Sequence, residues 1–268
     1  MRYLAIRRDD KFSPNAVEND KAILKRASER LCELLCRTDD IEMVDERQWV
    51  EHPVDADVYL SMAREETTLK LLLDKENGGS LVVNSAQGVL NCRRAELDQL
   101  MRLHRVPMPP LTGSHGYWLK RGDAAAQSKA DVVFCKDMAA LDKAKAAFGK
   151  RGVSECVVSP HVPGDLVKFY GVGTTFFQLF YPSDDGISKF GDEKRNGAAH
   201  HYAFDAESLH KETVRLSQLV GVEVFGGDAI IDEHGQFYII DFNDWPSFSR
   251  CREDAAVAIA QCVAKAKG

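Results

Sequence analysis

Two carboxylates and an amide lie close together near the end of the chain, on two apolar runs separated by a polar linker. Asp228 lies in the first run, and Asp241 and Asn243 lie two residues apart in the second. The linker, residues 232–236, contains a glycine and predicts a β-hairpin. Because side chains two apart on a strand point to the same face, Asp241 and Asn243 are expected to converge with Asp228.

Three oxygen donors without a nearby Cys or His are suited to a hard cation such as Mg²⁺, which often also holds nucleotide phosphates. Asp228, Asp241 and Asn243 therefore predict a metal site. The alternative is a surface hairpin in which the acidic residues only stabilise turns.

Two lysines interrupt apolar runs that are typical of strands. Lys120 ends the run 117–120, and Lys168 lies inside the run 166–172. A lysine in such a run must extend to solvent, pair with an acid or bind a ligand. Beside the predicted metal site, both would neutralise phosphate charge. Lys120 taken alone is also compatible with a solvated strand lysine.

The bulk properties exclude several classes of protein. The 268 residues, 44% of them hydrophobic, are enough for one large or two modest domains. A formal charge of -6 argues against a general nucleic-acid binder. No apolar run reaches the length of a membrane span, and residues 1–8 lack the core of a signal peptide, so we expect no membrane partner and a cytoplasmic location. Seven cysteines without a Cys-x-x-Cys pair indicate reduced thiols.

The order of predicted elements changes at the proline cluster of residues 107–110. Before it, strands alternate with helices, which predicts an α/β domain with a parallel sheet over residues 1–108. One of its helices is predicted over 91–104. After the cluster, strands follow one another with few helices, which predicts an α+β region with antiparallel sheets over 109–268. The polar segment 183–201 is either a lid over the substrate or a hydrophilic connector.

Together these residues resemble the ATP-grasp superfamily, particularly the branch with ribosomal-protein-modification glutamate ligases, glutathione synthetases and inositol-phosphate kinases. The likeness covers most of the chain after about residue 80. Residues 83–110 are similar to the strand, helix and proline-rich entry to the ATP-grasp core. Asp228, Asp241 and Asn243 match the family's metal-binding positions, although Glu is usual where Asp241 stands. Pro246 matches the proline that follows them.

The resemblance also implies the ligands and the residues that bind them. It implies ATP with Mg²⁺, or with Mn²⁺ in its place. Lys120 and Arg94 match basic residues that contact phosphates. Together with Lys168, the lysine of the apolar run 166–172, they are the predicted catalytic residues. The residues that match the adenine-binding hinge and the turn after it are Ser159, Pro160, His161, Val162 and Asp165.

The resemblance implies an enzyme that activates a substrate carboxylate as an acyl phosphate and ligates it to an amine. A small-molecule kinase is an alternative, because residues 169–173 and the loop with Ser128 resemble the inositol-phosphate kinases about as well. A non-catalytic nucleotide-binding module is a third possibility, which the intact set of Asp228, Asp241 and Asn243 disfavours. A small-molecule or peptide acceptor is expected to contact residues 7–15, after the first strand. The sequence leaves the oligomeric state open.

Overall fold

The first four strands form a parallel sheet with helices on both faces. The computed structural model describes residues 1–123, 129–185 and 195–267. In this sheet the strands lie in the order β2-β1-β3-β4, with β1 Tyr3–Arg7, β2 Glu42–Asp45, β3 Val58–Ser61 and β4 Leu81–Val83. The helices of this part of the chain are α1 Val17–Leu34, α2 Glu46–Glu51, α3 Glu66–Asn77, α4 Ala86–Asn91 and α5 Arg94–Leu103.

Both faces of this sheet are apolar because both are covered. Tyr3 and Ala5 of β1 pack in the same core cluster as α1, whereas Leu4 and Ile6 pack in the cluster that includes residues of α2, α3 and α4. A strand buried on two faces has a continuous apolar run, and residues 3–6 have this pattern.

The second sheet is small and antiparallel, with the order β6-β5-β7. Its strands are β5 Tyr117–Arg121, β6 Val132–Cys135 and β7 Cys156–Pro160. Helix α6, Met138–Lys150, covers one face, where Leu119 packs with Leu141 and Phe148. The other face is left for Trp118, Lys120 and Ser159, which line a cavity.

The third sheet is antiparallel and has the order β11-β10-β8-β9. Its strands are β8 Asp165–Val172, β9 Phe176–Phe180, β10 Val224–Ile231 and β11 Phe237–Asp244. The helices of this part are the short α7, Pro182–Asp185, then α8, Ala206–Val220, and α9, Arg252–Lys267. Helices α5 and α8 pack in one core cluster with this sheet, and α1 and α9 pack in another.

The predicted fold class, an α/β N-terminal part followed by an α+β region with antiparallel sheets, is confirmed. The helix predicted over 91–104 is confirmed as α5, which begins three residues later, at Arg94; the short α4 before it was not predicted, and Cys92 and Arg93 separate the two helices. The domain boundary at residue 108 stays a prediction, and α9 packs against α1 on the other side of it. In the described ranges, no helix is long and apolar enough to cross a membrane.

Candidate active site

Three charged side chains form a row across neighbouring strands of the third sheet. Lys168 of β8 is the register partner of Asp228 of β10, and Asp228 is the register partner of Asp241 of β11. The Nζ atom of Lys168 lies 2.8 Å from Oδ1 of Asp228. The two carboxylates predicted to converge are therefore direct neighbours, and a lysine predicted to bind phosphate lies beside them.

Asn243 joins this row from the same strand as Asp241. Its Nδ2 donates to Oδ2 of Asp241 at 3.0 Å. The close approach of the strands at this place requires glycine at position 227, because a Cβ there would lie 2.1 Å from the carbonyl oxygen of Asp241. The glycine before Asp228 thus allows β10 and β11 to bring the three oxygen-bearing side chains together.

Lys120 reaches this row from the second sheet through a bulge in β11. The register between β10 and β11 passes from Asp241 directly to Ile239, so Ile240 is the extra residue of the bulge. Its carbonyl oxygen accepts a hydrogen bond from Nζ of Lys120 at 2.8 Å. Burial lowers the pKa of Lys120, and the negative charge of Asp241 acts against that effect.

Arg94 approaches the same carboxylate from the first turn of α5. Its NH1 donates to the carbonyl oxygen of Arg121 at 2.9 Å, and its NH2 lies 3.8 Å from Oδ1 of Asp241. Burial by itself would raise the pKa of Asp241, but Arg94 and Lys120, with the hydrogen bond from Asn243, hold the pKa of that carboxyl below its usual value. Asp241 is therefore ionised and available to a cation at neutral pH.

The predicted hinge residues Ser159, Pro160, His161 and Val162 lie together at one end of the cavity. Ser159 pairs with Trp118 across the second sheet, and the backbone N–H of His161 donates to the carbonyl of Gly116 at 2.9 Å. The Nε1 of Trp118 donates to Nδ1 of His161 at 3.2 Å. An aromatic side chain beside the backbone of an edge strand is suited to a planar heterocyclic base.

Asp165 does not join these residues. Its carboxylate is buried and accepts hydrogen bonds from the backbone N–H groups of His200, at 2.7 Å, and Tyr202, at 2.9 Å. It is absent from the described wall of the cavity. The carboxylate predicted to bind nucleotide thus fixes the segment that precedes α8.

A cavity of about 670 Å³ connects the hinge, the charged row and the N-terminal sheet. Arg8, Lys11, Phe12 and Ser13, from the segment predicted to contact an acceptor, line its far end. The sequence prediction missed other wall residues, among them Arg64, Arg93 and Asp244. Arg64 lies three residues after the end of β3. Because ligands bind at the carboxyl ends of parallel strands, its place in the cavity wall could have been predicted. Ser128 and residues 186–194 of the polar segment 183–201 lie outside the described residues.

Asp228, Asp241 and Asn243 are too few to surround a hard divalent cation by themselves, so a bound phosphate compound would have to supply further oxygen ligands. The described ranges contain no group of three or more His, Cys, Asp or Glu side chains that could hold a metal. Asp228 and Asp241 supply two carboxylates and Asn243 an amide, so phosphate and water oxygens would have to complete the shell. Such sharing with phosphates is typical of Mg²⁺.

The chain resembles solved structures in fold over nearly its whole length. The D-alanine–D-alanine ligase from Bacillus anthracis, solved with ATP, is 11% identical with a TM-score of 0.68, and the match covers 99% of this chain and 96% of that one. A RimK-domain ATP-grasp protein from Sphaerobacter thermophilus is 17% identical with a TM-score of 0.65, over 98% and 99% of the two chains.

The ATP-grasp ligase PsnB, solved with a minimal precursor, is 13% identical with a TM-score of 0.62, over 99% of each chain. No protein-family model and no curated protein sequence matches the chain. Sequence identities this low establish only the common architecture. The chain therefore has the ATP-grasp fold.

Proposed function

We propose that this protein is a Mg²⁺- and ATP-dependent ligase that joins a carboxylate to an amine. The observation that carries the proposal is the row of Lys168, Asp228 and Asp241, which Lys120 reaches from the opposite sheet inside one cavity. An ATP-grasp ligase is the kind of protein that the similar structures describe. The glutamate-ligase and glutathione-synthetase branch stays a prediction.

In this proposal ATP lies along the cavity with its base at the hinge. Backbone groups of residues 159–162 and the ring of Trp118 bind the base. Lys120, Lys168 and Arg94 contact the phosphates as fixed cations, which stabilises charge that develops during transfer. Asp228, Asp241 and Asn243 would hold Mg²⁺, which when bound neutralises charge on the phosphate oxygens.

The reaction has two steps. An oxygen of the acceptor carboxylate attacks the γ-phosphorus, the bond from that phosphorus to the bridging oxygen breaks, and ADP leaves. The amine nitrogen then attacks the acyl carbon, the carbon–oxygen bond to phosphate breaks, and inorganic phosphate leaves while the nitrogen loses a proton to solvent. Residues 8–13 at the far end of the cavity are the proposed contacts of the carboxylate substrate.

The charges at that end of the cavity favour a ligase over an inositol-phosphate kinase. An acceptor with several phosphates needs a clear excess of cations. The wall there has as many acids as bases. The bases are Arg8, Lys11, Arg64 and Arg93, and the acids are Asp20, Glu65, Glu66 and Asp244, the last of which is bound to Arg64. Arg8 lies 3.5 Å from Asp20, and Lys11 forms an ion pair with Glu65. A weakly charged or zwitterionic acceptor suits such a wall better.

Hydroxylamine distinguishes the two activities directly. The protein would be incubated with Mg²⁺, ATP, a panel of amino acids and short peptides, and hydroxylamine as a general amine. A ligase gives a hydroxamate, ADP and phosphate from the preferred carboxylate, and the Asp241→Asn variant gives none. A stable phosphate ester formed from a polyol panel, without hydroxamate, would replace the ligase with the kinase.

A further inference from the structure

The end of β11, which bears Asp241 and Asn243, is paired on one side only. β11 is an edge strand, and its inner side pairs with β10 through Gly226 opposite Asn243 and Phe225 opposite Asp244. No strand within the described residues pairs with its outer side. The end of a strand that is hydrogen-bonded on one side frays more easily than the end of a strand that is paired on both sides. Further contacts are therefore needed to hold Asp241 and Asn243 in place.

The N-terminal part of the chain supplies that second set of contacts. Arg64 donates from NH2 to Oδ1 of Asp244 at 2.6 Å and to its carbonyl oxygen at 3.2 Å, and Nε lies 3.4 Å from Oδ2. At the next residue, Arg8 donates to the carbonyl oxygen of Trp245, and the indole N–H donates to the carbonyl of Val83 at 3.2 Å. Three segments of the N-terminal part therefore hold the outer side of this strand end.

Arg64 is itself held rigidly. The buried carboxylate of Glu46 accepts hydrogen bonds from the backbone N–H of Arg64, at 2.9 Å, and from that of Glu65, at 2.8 Å. The side chains of Arg64 and Asp244 are only 16% and 3% exposed. A planar guanidinium that grips a carboxylate with two nitrogens fixes direction as well as distance. The pair can therefore fix the end of β11 relative to the N-terminal sheet.

We propose that Arg64 and Asp244 form a positioning pair for the phosphate and metal site. Arg64 directs its donors at Asp244, and Asp244 immediately follows Asn243 on β11. The pair sets the end of β11 so that Asp241 and Asn243 meet Asp228, and it aligns that end with the wall where the acceptor binds. The inference rests on the proposed function, because it assigns these side chains a shared Mg²⁺–nucleotide ligand.

The test measures binding of a non-hydrolysable ATP analogue by calorimetry, with and without Mg²⁺, and needs no acceptor. The variants are Arg64→Met, Asp244→Asn, the double variant and Arg64→Lys, all in the whole protein. Arg102→Met is the matched control, since Arg102 grips Asp98 with Nε and NH2 at 2.8 and 3.2 Å on the surface of α5, outside the cavity wall.

We expect each of the Arg64→Met and Asp244→Asn variants to lose about tenfold in affinity when Mg²⁺ is present, within the coupling typical of one network. Affinity without Mg²⁺ and the Arg102→Met control should stay unchanged. The double variant should bind no more weakly than the worse single variant, because loss of either partner already breaks the unit. Arg64→Lys keeps the charge but loses the fork, so it should fold and bind with intermediate affinity.

The positioning role would be overturned if Arg64→Lys and the folded single variants bound the analogue as tightly as the wild type in the presence of Mg²⁺. The proposed function would not be affected by that result. Losses that add in the double variant would overturn the positioning role as well, because they would show two independent residues. If the wild-type protein binds the analogue equally with and without Mg²⁺, the proposed function fails and this inference fails with it.

Discussion

Asp228 and Asp241 lie directly opposite each other on the neighbouring antiparallel strands β10 and β11. Two carboxylates at this spacing repel each other unless cations lie nearby. Lys168 pairs with the first, and Arg94 and Lys120 lower the pKa of the second. The protein therefore stabilises a pair of anions that a divalent cation would also stabilise, and this arrangement gives the first prediction.

Replacing Asp241 with Asn should abolish Mg²⁺-dependent nucleotide binding and lower turnover by at least about a hundredfold, because a metal contributes several kcal/mol to transition-state stabilisation. It should also lower the melting temperature of the free protein, because Arg94, Lys120 and Lys168 lose an anion that offsets their repulsion. Calorimetry, an ATP-consumption assay and thermal melts measure these three effects. Asp142→Asn, on the exposed face of α6, is the control. Full Mg²⁺ dependence in Asp241→Asn would contradict the metal assignment.

Replacing Lys120 with Met should weaken nucleotide binding without destabilising the folded protein. The lost charge-assisted contact to phosphate is worth about 1.5–3 kcal/mol, so nucleotide affinity should fall at least tenfold. Stability should hold or rise, because Met keeps the volume and removes a half-buried charge whose only described hydrogen bond is to Ile240. Nucleotide titration and urea unfolding are the two measurements. The exposed Lys145→Met is the control, and equal nucleotide affinity in the two variants would remove Lys120 from the site.

Replacing Gly227 with Ala should destabilise the protein by roughly 2 kcal/mol or more, in the range of overpacked cores. The added Cβ would lie 2.1 Å from the carbonyl oxygen of Asp241 and 2.5 Å from Cζ of Phe169, so β10 and β11 must separate. Gly149→Ala in α6 is a control of opposite sign: its Cβ has nothing within 4 Å, and Ala stabilises a helix by about 0.5–1 kcal/mol. Urea unfolding compares them. A Gly227→Ala variant as stable as the wild type would show that the strands need not approach so closely.

Protonation of His161 should destabilise the folded protein at mildly acidic pH. Burial lowers the pKa of His161 below its usual 6.5, and Arg195 and His115 lower it further. Between the lowered pKa and 6.5 the unfolded chain binds more protons, so the free energy of unfolding rises with pH across this window and levels off above it. A proton on Nδ1 would also break the hydrogen bond from Trp118.

Urea unfolding at several pH values, followed by tryptophan fluorescence, measures this effect. The His161→Phe variant should lose this part of the pH dependence, while His234→Gln, a change in a side chain that is 81% exposed, should keep it. Identical pH profiles for wild type and His161→Phe would contradict the prediction.

Local patterns were sufficient to predict the hairpin and its acidic residues. The turn at 232–236 and the apolar runs beside it fix β10 and β11, and these strands bring Asp228 next to Asp241. Lys120 and Lys168 could be predicted because a lysine in an apolar strand is unusual. Their hydrogen-bonding partners could not, because Lys120 bonds to a carbonyl that only the bulge at Ile240 makes available.

Contacts between distant segments could not be predicted from local sequence patterns. Arg64 and Asp244 are 180 residues apart, and nothing near either residue indicates that they meet. Asp165 was predicted among the nucleotide-binding residues because of the turn around it. Its actual partners, the N–H groups of His200 and Tyr202, depend on where the chain returns before α8. The helix predicted over 91–104 began three residues too early, because Asn91 ends α4 and the chain leaves the helical conformation at Arg93, the N-cap of α5.

The packing of α9 against α1 means that one core cluster can be completed only after the last helix has been synthesised. Ile23 and Leu31 of α1 are fully buried in one core cluster with Ile259 and Val263 of α9. The ribosome completes α1 more than 200 residues before it begins α9, so the part of α1 that packs against α9 stays uncovered for most of translation, although the strands of the first sheet can already cover the rest. At about 5–20 residues per second this interval lasts roughly 10–45 seconds, long enough for a chaperone to bind the nascent chain.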